Sequence, residues 1–221
     1  GGYCLPKDGG LGYWSYRNIL GFDDEIFKIT PLAIDINDTR GLHAAEMTAD
    51  ALLNMGKKTS TSTILVCGAS YRQDVGDTRY SGSEIVVRKL TEMGASVNVH
   101  DPYVKNWPEL ENQDHDTHGK KKFFTNQDHL SELRVKSDLS SSLSGTDAVV
   151  LAVPHSEYLQ LDPEEMVKHV GKPFAIIDCF CILNDDDIHR FIELGCEVKG
   201  LGRGHIERIK ASVHSRNAQE N

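Results

Sequence analysis

The sequence lacks the features of proteins that bind membranes or nucleic acids. It contains no apolar run near the roughly 20 residues that a membrane-spanning helix needs. It shows no basic stripe with interleaved aromatic residues, and its 24 Lys and Arg are outnumbered by 33 Asp and Glu, giving a formal net charge of -9. Nucleic-acid binders concentrate positive charge, so this acidic chain is not predicted to bind nucleic acid. Because it has no long apolar run, it is not predicted to span a membrane either.

Disulfides and metal sites are not indicated either. The chain has five cysteines, an odd number that does not fit a disulfide framework and that favours reduced thiols in a cytoplasmic protein. They are Cys4, Cys67, Cys179, Cys181 and Cys196. Cys179 and Cys181 form a C-x-C pair, but no second pair stands at zinc-binding spacing, so the sequence predicts no metal site.

A glycine-rich turn for a dinucleotide is also missing. Gly9, Gly10 and Gly12 do not follow a predicted strand, so they do not form a G-x-G-x-x-G fingerprint. We interpret them as a flexible turn before a short helix at residues 13–20. The chain therefore offers no predicted site for the pyrophosphate of NAD.

The pattern of apolar residues predicts an α/β protein. Apolar residues recur at helical spacing from Pro31 to Met55, and a polar linker at 57–62 follows. Beyond the linker, strands and helices alternate, which is typical of a parallel sheet. The predicted strands are 63–67, 96–100, 149–153, 174–177 and 196–199, and the predicted helices are 83–93, 162–170 and 185–194. The predicted segments are thus 1–60, an α/β domain at 61–210 and a disordered tail at 211–221.

Residues 105–136 interrupt this alternation. His115, His118 and His129 stand there among acids, together with the run Lys120-Lys121-Lys122. Because the histidine spacing is irregular and the segment is hydrophilic, an exposed, mobile excursion is favoured over a metal site.

The first eight residues, Gly-Gly-Tyr-Cys-Leu-Pro-Lys-Asp, combine groups suited to covalent catalysis. Cysteine is a strong nucleophile as the thiolate, which a nearby cation such as Lys7 would favour. Asp8 would assist proton transfer if it lay within hydrogen-bond reach. A surface turn with an incidental thiol is the alternative that these residues alone leave open.

The loop after the first predicted strand, residues 68–81, carries groups suited to a nucleotide. Ligands of parallel sheets bind beyond the carboxyl ends of the strands. Arg72 and Arg79 present guanidinium forks that match phosphate oxygens, and the ring of Tyr71 is able to stack on a base. The alternative is a long polar loop with surface arginines.

Two of these segments resemble motifs of the nucleotide-sugar (UDP-glucose/GDP-mannose) 6-dehydrogenase family. Residues 1–8 resemble its catalytic-cysteine motif, and residues 71–81 resemble the aromatic, basic, then Asp-Thr-Arg loop of its UDP-binding domain. Further similarity lies at Asp101-Pro102-Tyr103, Asp147-Ala148-Val149-Val150, His155 with Glu157, Asp178, and Gly200-Leu201-Gly202-Arg203. The resemblance covers residues 1 to about 205 and corresponds to the second half of such an enzyme.

The resemblance implies a fold and an activity. The fold would be a long central dimerisation helix at about 31–55, followed by a Rossmann-like, parallel-sheet UDP-binding domain. The activity would be the NAD-dependent oxidation of a UDP-sugar C6 alcohol to a carboxylate, in polysaccharide biosynthesis. NAD would be bound mainly by the missing half, so this chain alone would bind UDP without reducing NAD.

The resemblance also implies residue roles. Cys4 would form a thioester with the substrate, assisted by Lys7 and Asp8. The UDP-sugar would be bound by Gly2, Tyr71, Arg72 and Arg79, with Asp77 and Arg79 shaping the loop. Phe180 departs from the pattern, since the family often has an arginine at this position. The motif around Cys4 leans towards a glucose-type sugar.

Two other functions remain open at this point. One is a hydrolase or transferase with Cys4 as nucleophile, for which the histidine nearest in sequence is His43. The other is a non-catalytic nucleotide-binding module with an unused thiol.

Overall fold

Two helices open the chain in the computed structural model, which describes residues 4–22, 28–111, 124 and 127–217. They are α1 (Cys4–Asn18) and α2 (Ile29–Asn54). The predicted turn at Gly9, Gly10 and Gly12 was wrong, because all three lie inside α1. A Cβ on Gly9 would lie 3.1 Å from Cδ1 of Ile34, so this glycine lets α1 approach α2 closely. The predicted ligand residue Gly2 lies outside the described residues.

Helix α2 matches the helix predicted at 31–55, and it is buried along its second half only. Its buried residues are Gly41, Ala44, Ala45, Thr48, Ala51 and Leu52. In the first half, Leu32 and Ile36 are 58% and 53% exposed. The second half therefore packs on the rest of the molecule, while the first half carries apolar side chains into solvent.

The centre of the molecule is a sheet of six parallel strands in the order β3-β2-β1-β4-β5-β6. The strands are β1 (Thr63–Cys67), β2 (Ser96–His100), β3 (Val135–Lys136), β4 (Ala148–Leu151), β5 (Ala175–Asp178) and β6 (Glu197–Gly200). The predicted α/β fold with a parallel sheet after a long helix is confirmed. β3, which has only two residues, was missed.

Helices cover both faces of the sheet. They are α3 (Gly82–Glu92), α4 (Pro108–Glu111), α5 (Leu139–Leu143), α6 (Pro163–Val170), α7 (Asp185–Glu193) and α8 (Ile206–Asn217). Alternate residues of β1 face opposite layers, so Ile64 and Val66 pack in one core with α2 and α3, and Leu65 and Cys67 pack in the other with α6, α7 and α8. The result is a three-layer sandwich.

Polar caps explain where several helices begin. The hydroxyl of Ser81 accepts a hydrogen bond from the Ser83 N–H at the start of α3, and Asp162 caps α6 in the same way. Asn184 and Asp187 form a reciprocal capping box at the start of α7. The boundaries of these three helices therefore follow from local sequence.

The predicted excursion at 105–136 is only partly described. Its central histidines, His115 and His118, and the lysine run lie outside the described residues. Its flanks are packed in part: Trp107 is buried, and Gln127 accepts a hydrogen bond from Nη1 of Arg88 at 3.1 Å and donates one to the Arg88 carbonyl at 2.8 Å. The prediction of an exposed segment is therefore wrong at Trp107 and Gln127, whereas Lys105, His129 and Arg134 are exposed as predicted.

The tail predicted to be disordered from residue 211 is helical as far as Asn217. Val213 is buried, and Nζ of Lys210 contacts Oε1 of Glu197 at 2.8 Å, so α8 is held against β6. Residues 218–221 lie outside the described residues. None of the helices in the described ranges has the length and apolarity that a membrane span requires.

Candidate functional site

The strand order places a binding edge between β1 and β4. Neighbouring connections leave in opposite directions at this point, and open parallel sheets bind ligands at the carboxyl ends of such strands. A cleft of about 390 Å³ lies here, between α2 and the carboxyl edge of the sheet. Ser70 and Tyr71 after β1, residues 81–83 at the start of α3, and Phe180 after β5 contribute to its walls.

Asp101, at the end of β2, anchors the loop that follows β1. This carboxylate is 1% exposed. Its Oδ2 accepts hydrogen bonds from the N–H groups of Ala69 at 2.7 Å and Ser70 at 3.1 Å, and its Oδ1 accepts from Tyr103 and Val104. Burial acts to raise the pKa of Asp101, but the hydrogen bonds from His155 and these backbone groups lower it below its ordinary value. The side chain therefore stays ionised and ties two strand ends together.

His155, after β4, completes this anchor from the other side. Its Nδ1 accepts the N–H of Asp74 at 2.9 Å, so the ring proton lies on Nε2, which is 3.1 Å from both Oδ2 of Asp101 and Oγ of Ser70. Ser70 in turn donates its hydroxyl proton to the carbonyl of Arg72 at 2.9 Å. Since Nδ1 of His155 is occupied and Ser70 Oγ accepts from Nε2, these residues position the loop and do not form a nucleophile–base pair.

Asp74 fixes the middle of the loop. Its backbone is left-handed at φ 53°, and its carboxylate accepts hydrogen bonds from the N–H of Ser156 at 2.9 Å and from the Ser156 hydroxyl at 2.5 Å. These hydrogen bonds lower the pKa of Asp74, with the Ser156 hydroxyl as the main cause. The loop is thus tied to the segment after β4 by both backbone and side chain.

The predicted substrate-binding residues of the loop occupy different places. Tyr71 lines the cleft, and its N–H donates to the carbonyl of Asp77 at 2.9 Å. Arg79 binds the Asp77 carboxylate through Nε at 2.9 Å and Nη2 at 2.6 Å, which lowers the pKa of Asp77. Arg72 is exposed and does not line the cleft. Of the three, only Tyr71 therefore faces the cleft.

The predicted catalytic residues lie together on the first turns of α1. Cys4 is exposed, and Nζ of Lys7 is 3.1 Å from Oδ1 of Asp8. None of the three lines the cleft. His43, considered as a base for a hydrolase, lies exposed on α2 with its Nδ1 3.9 Å from Oε2 of Glu46. The structure therefore describes two separate groups of candidate residues, one on α1 and one at the sheet edge.

Arg40 and Phe124 are among the cleft residues that sequence reasoning missed. Arg40 reaches it from α2, and Phe124 reaches it from the segment 105–136. Neither stands next to a motif, and only tertiary packing brings them to the sheet edge. Among the described residues, no group of three His, Cys, Asp or Glu side chains is arranged to hold a metal ion.

Comparison with protein families gives a match over more than half of the chain. Residues 65–185 match the model described as the UDP-glucose/GDP-mannose dehydrogenase family, UDP binding domain. The UDP-glucose 6-dehydrogenase of Gallus gallus is 25% identical over 205 residues, and the UDP-N-acetyl-D-mannosamine dehydrogenase of Pyrococcus horikoshii is 27% identical over 206 residues. These alignments cover 92% and 93% of this chain but 39% of each relative.

A solved structure has a similar fold. The NDP-N-acetyl-D-galactosaminuronic acid dehydrogenase from Methanosarcina mazei Go1 superposes with a TM-score of 0.76 at 29% identity, over 94% of this chain and 39% of that one. The chain thus spans about two fifths of the length of the relatives it matches. The matched region includes both the loop after β1 and the strands that anchor it.

Proposed function

We propose a function from one premise: the chain belongs to the UDP-glucose/GDP-mannose dehydrogenase family, whose UDP-binding domain matches residues 65–185. The chain is the UDP-binding part of an NAD-dependent UDP-sugar 6-dehydrogenase. The observation that carries this proposal is the cleft at the carboxyl edge of the sheet, with Tyr71 on its wall and an anchored loop behind it. The uracil ring would stack on Tyr71.

The proposed reaction converts the C6 alcohol of the sugar to a carboxylate. After oxidation to the aldehyde, the Cys4 thiolate adds to C6, and loss of a hydride leaves a thioester that water hydrolyses to the acid and the free thiol. Lys7 would stabilise the oxyanion on C6, and Asp8 would hold the attacking water. Two hydrides leave the substrate in total, and NAD is the proposed acceptor.

The described residues do not fit an NAD site. In a dinucleotide-binding domain the first strand leads into a tight glycine turn at the start of a helix. Here β1 leads instead into the long loop 68–81, which Asp101 and His155 hold in place. We therefore assign NAD to a part of the enzyme beyond this chain, in line with the two-fifths coverage of the relatives.

A homodimer through α2 belongs to the same proposal. The first half of α2 and the neighbouring α1 expose large apolar side chains, including Leu11, Trp14, Leu32 and Ile36. A second copy of the chain would cover them. The cytoplasmic location and the glucose-type sugar are likewise part of the proposal.

Calorimetry with UDP tests the proposal directly. The chain should bind UDP, and Tyr71→Ala should weaken binding by about 1–3 kcal/mol, the range for loss of a base-stacking aromatic ring. Tyr13→Ala, which changes an aromatic residue of α1 outside the cleft, is the matched control and should have no effect. A chain that does not bind UDP, or one that produces NADH from UDP-glucose and NAD on its own, would contradict the proposal.

A further inference from the structure

Arg40 brings a positive charge into the cleft from α2. It is the sole Lys, Arg or His among the described residues that line the cleft. Arg79 lies in the loop but is paired with Asp77, and Arg72 lies outside the lining. A doubly charged phosphate group in this cleft would therefore meet one cationic side chain, which is not on the loop.

Arg40 is exposed to solvent, and helical geometry explains why it borders the cleft. Arg40 and Ala44 are four residues apart and share one face of α2, and Ala44 is buried. Burial raises the pKa of Cys179 to about 12, and the positive charge of Arg40 acts in the opposite direction. Arg40 and Cys179 also line the same cleft, so the guanidinium lies on the side of the end of β5.

The first turn of α3 forms the wall beside Arg40. A Cβ on Gly41 would lie 2.8 Å from Cβ of Ile85 and 2.9 Å from the carbonyl oxygen of Gly82, so α2 touches α3 at the residue next to Arg40. The start of this eleven-residue helix carries partial positive charge. Ser83, 3% exposed, also lines the cleft, and its hydroxyl has no partner among the described residues.

Two carboxylates share the cleft with Arg40 but lie elsewhere around α2. At 100° per residue, Asp35 lies about 140° and Asp38 about 160° from Arg40 around the helix axis. An anionic group is therefore favoured on the side of Arg40 and α3, and hydroxyl groups of a ligand are favoured on the side of Asp35 and Asp38, where they are able to donate hydrogen bonds.

We propose that Arg40 binds the diphosphate of the nucleotide, opposite the first turn of α3. The guanidinium fork pairs with phosphate oxygens, while the aromatic rings of Tyr71 and Phe180 on the same cleft contact the nucleoside. This assignment rests on the proposed function, because it takes a nucleoside diphosphate as the ligand. It differs from the sequence prediction, which gave the phosphates to Arg72 and Arg79.

The test compares a ligand that has phosphates with one that has none. Calorimetry measures UDP, and an NMR titration measures uridine, for the wild-type chain and for Arg40→Ala, Arg40→Lys and Arg134→Ala. In Arg40→Ala the Kd for UDP should rise about 10- to 100-fold, as for loss of a hydrogen bond to a charged group, while the Kd for uridine stays the same. The Kd of Arg40→Lys for UDP should lie between those of wild type and Arg40→Ala, because lysine keeps the positive charge but not the guanidinium fork.

Arg134→Ala is the control, since Arg134 is exposed and bonded to the carbonyls of Ser131 and Leu133, outside the cleft. Melting temperatures equal to wild type establish that each variant is folded. Unchanged UDP affinity in Arg40→Ala overturns the assignment, and so does an equal loss of UDP and uridine, which would mean damage to the whole cleft. If the wild-type chain does not bind UDP, the proposed function fails and the assignment fails with it.

Discussion

The five thiols of the chain differ in burial, and burial controls their reactivity. Cys67, Cys179 and Cys196 are buried in or beside strands, whereas Cys4 and Cys181 are exposed. Burial raises the pKa of Cys67 far above its ordinary value and that of Cys179 to about 12, and it also raises the pKa of Cys196. The three buried thiols therefore remain protonated at neutral pH and pack as small apolar groups.

We expect brief treatment with iodoacetamide at about pH 8, near the ordinary thiol pKa, to modify Cys4 and Cys181 and to spare the other three. Mass spectrometry of tryptic peptides reads out each site. Denaturation in guanidinium before treatment is the control and should expose all five. Modification of Cys67 in the folded chain as fast as Cys4 would refute this division.

Asp147 joins three segments through one carboxylate. Its Oδ1 contacts Nζ of Lys57 at 2.8 Å and Nζ of Lys172 at 2.7 Å, and its Oδ2 accepts the N–H of Thr63 at 2.9 Å. Partial burial acts to raise the pKa of Asp147, but the hydrogen bonds from the two lysines and Thr63 outweigh it and lower the pKa to about 2. The folded chain therefore holds this proton more weakly than the unfolded chain does.

Stability from Asp147 should be complete above the unfolded pKa of about 4 and should be lost as the pH falls towards about 2. Asp147→Asn should lower the free energy of unfolding by about 1–2 kcal/mol at neutral pH. It should also flatten the decline of the free energy of unfolding at acid pH. Urea unfolding at a series of pH values measures both. Glu132→Gln, which alters an exposed acid, is the control and should change neither the free energy of unfolding nor its dependence on pH. If the free energy of unfolding fell equally at acid pH in Asp147→Asn and wild type, the role of Asp147 would be disproved.

The candidate site was predictable from the sequence where it follows a strand directly. The loop with Tyr71 stands after an apolar run, so its place at a carboxyl edge follows from sheet topology. Arg40 was not predictable in the same way, because its position depends on how closely α2 packs on α3 at Gly41. The pairing of Arg79 with Asp77 was not predictable either, because it depends on the conformation of the loop.

At the level of elements, Gly41 controls the packing of α2 on α3. Because a Cβ there would lie less than 3 Å from Ile85 and Gly82, Gly41→Ala should force the helices apart and cost about 1–3 kcal/mol in the free energy of unfolding. Chemical denaturation followed by circular dichroism measures the change.

Gly12→Ala is the matched control for this substitution. Gly12 is also inside a helix, but a Cβ there would meet nothing within 4 Å, so alanine should leave stability unchanged or raise it by up to about 1 kcal/mol. If both substitutions had the same effect, close packing at Gly41 would not be the cause.

The elements most easily predicted were those whose local pattern and tertiary role agree. The apolar run at β1 and the alternating Ser-Val-Asn-Val-His of β2 predicted both strands at their observed bounds. β3 was missed because two residues show no alternation, and it exists only through pairing with β2. The turn predicted inside α1 was wrong: Gly9 serves there for the contact with Ile34, which sequence alone does not reveal, and Gly10 and Gly12 are helical without a close neighbour.

At the level of the whole molecule, the exposed apolar side chains of α1 and α2 predict self-association. Leu32→Asp should shift the chain towards monomer in sedimentation velocity, since it places a charge in the proposed dimer interface. Leu159→Asp changes an equally large exposed leucine away from α1 and α2 and should leave association unchanged. A wild-type chain that sediments as a monomer at tens of micromolar, roughly the range of weak dimers, would rule out the interface.

The parallel sheet also has a consequence for how the chain folds. No two neighbouring strands of the described sheet are joined by a hairpin, because all of its pairs are parallel. β1 gains its second neighbour, β4, only after the segment that contains α3, β2, β3 and α5 has been brought back, which requires closure of a long loop. Refolding should therefore take milliseconds to seconds rather than microseconds, which stopped-flow circular dichroism measures.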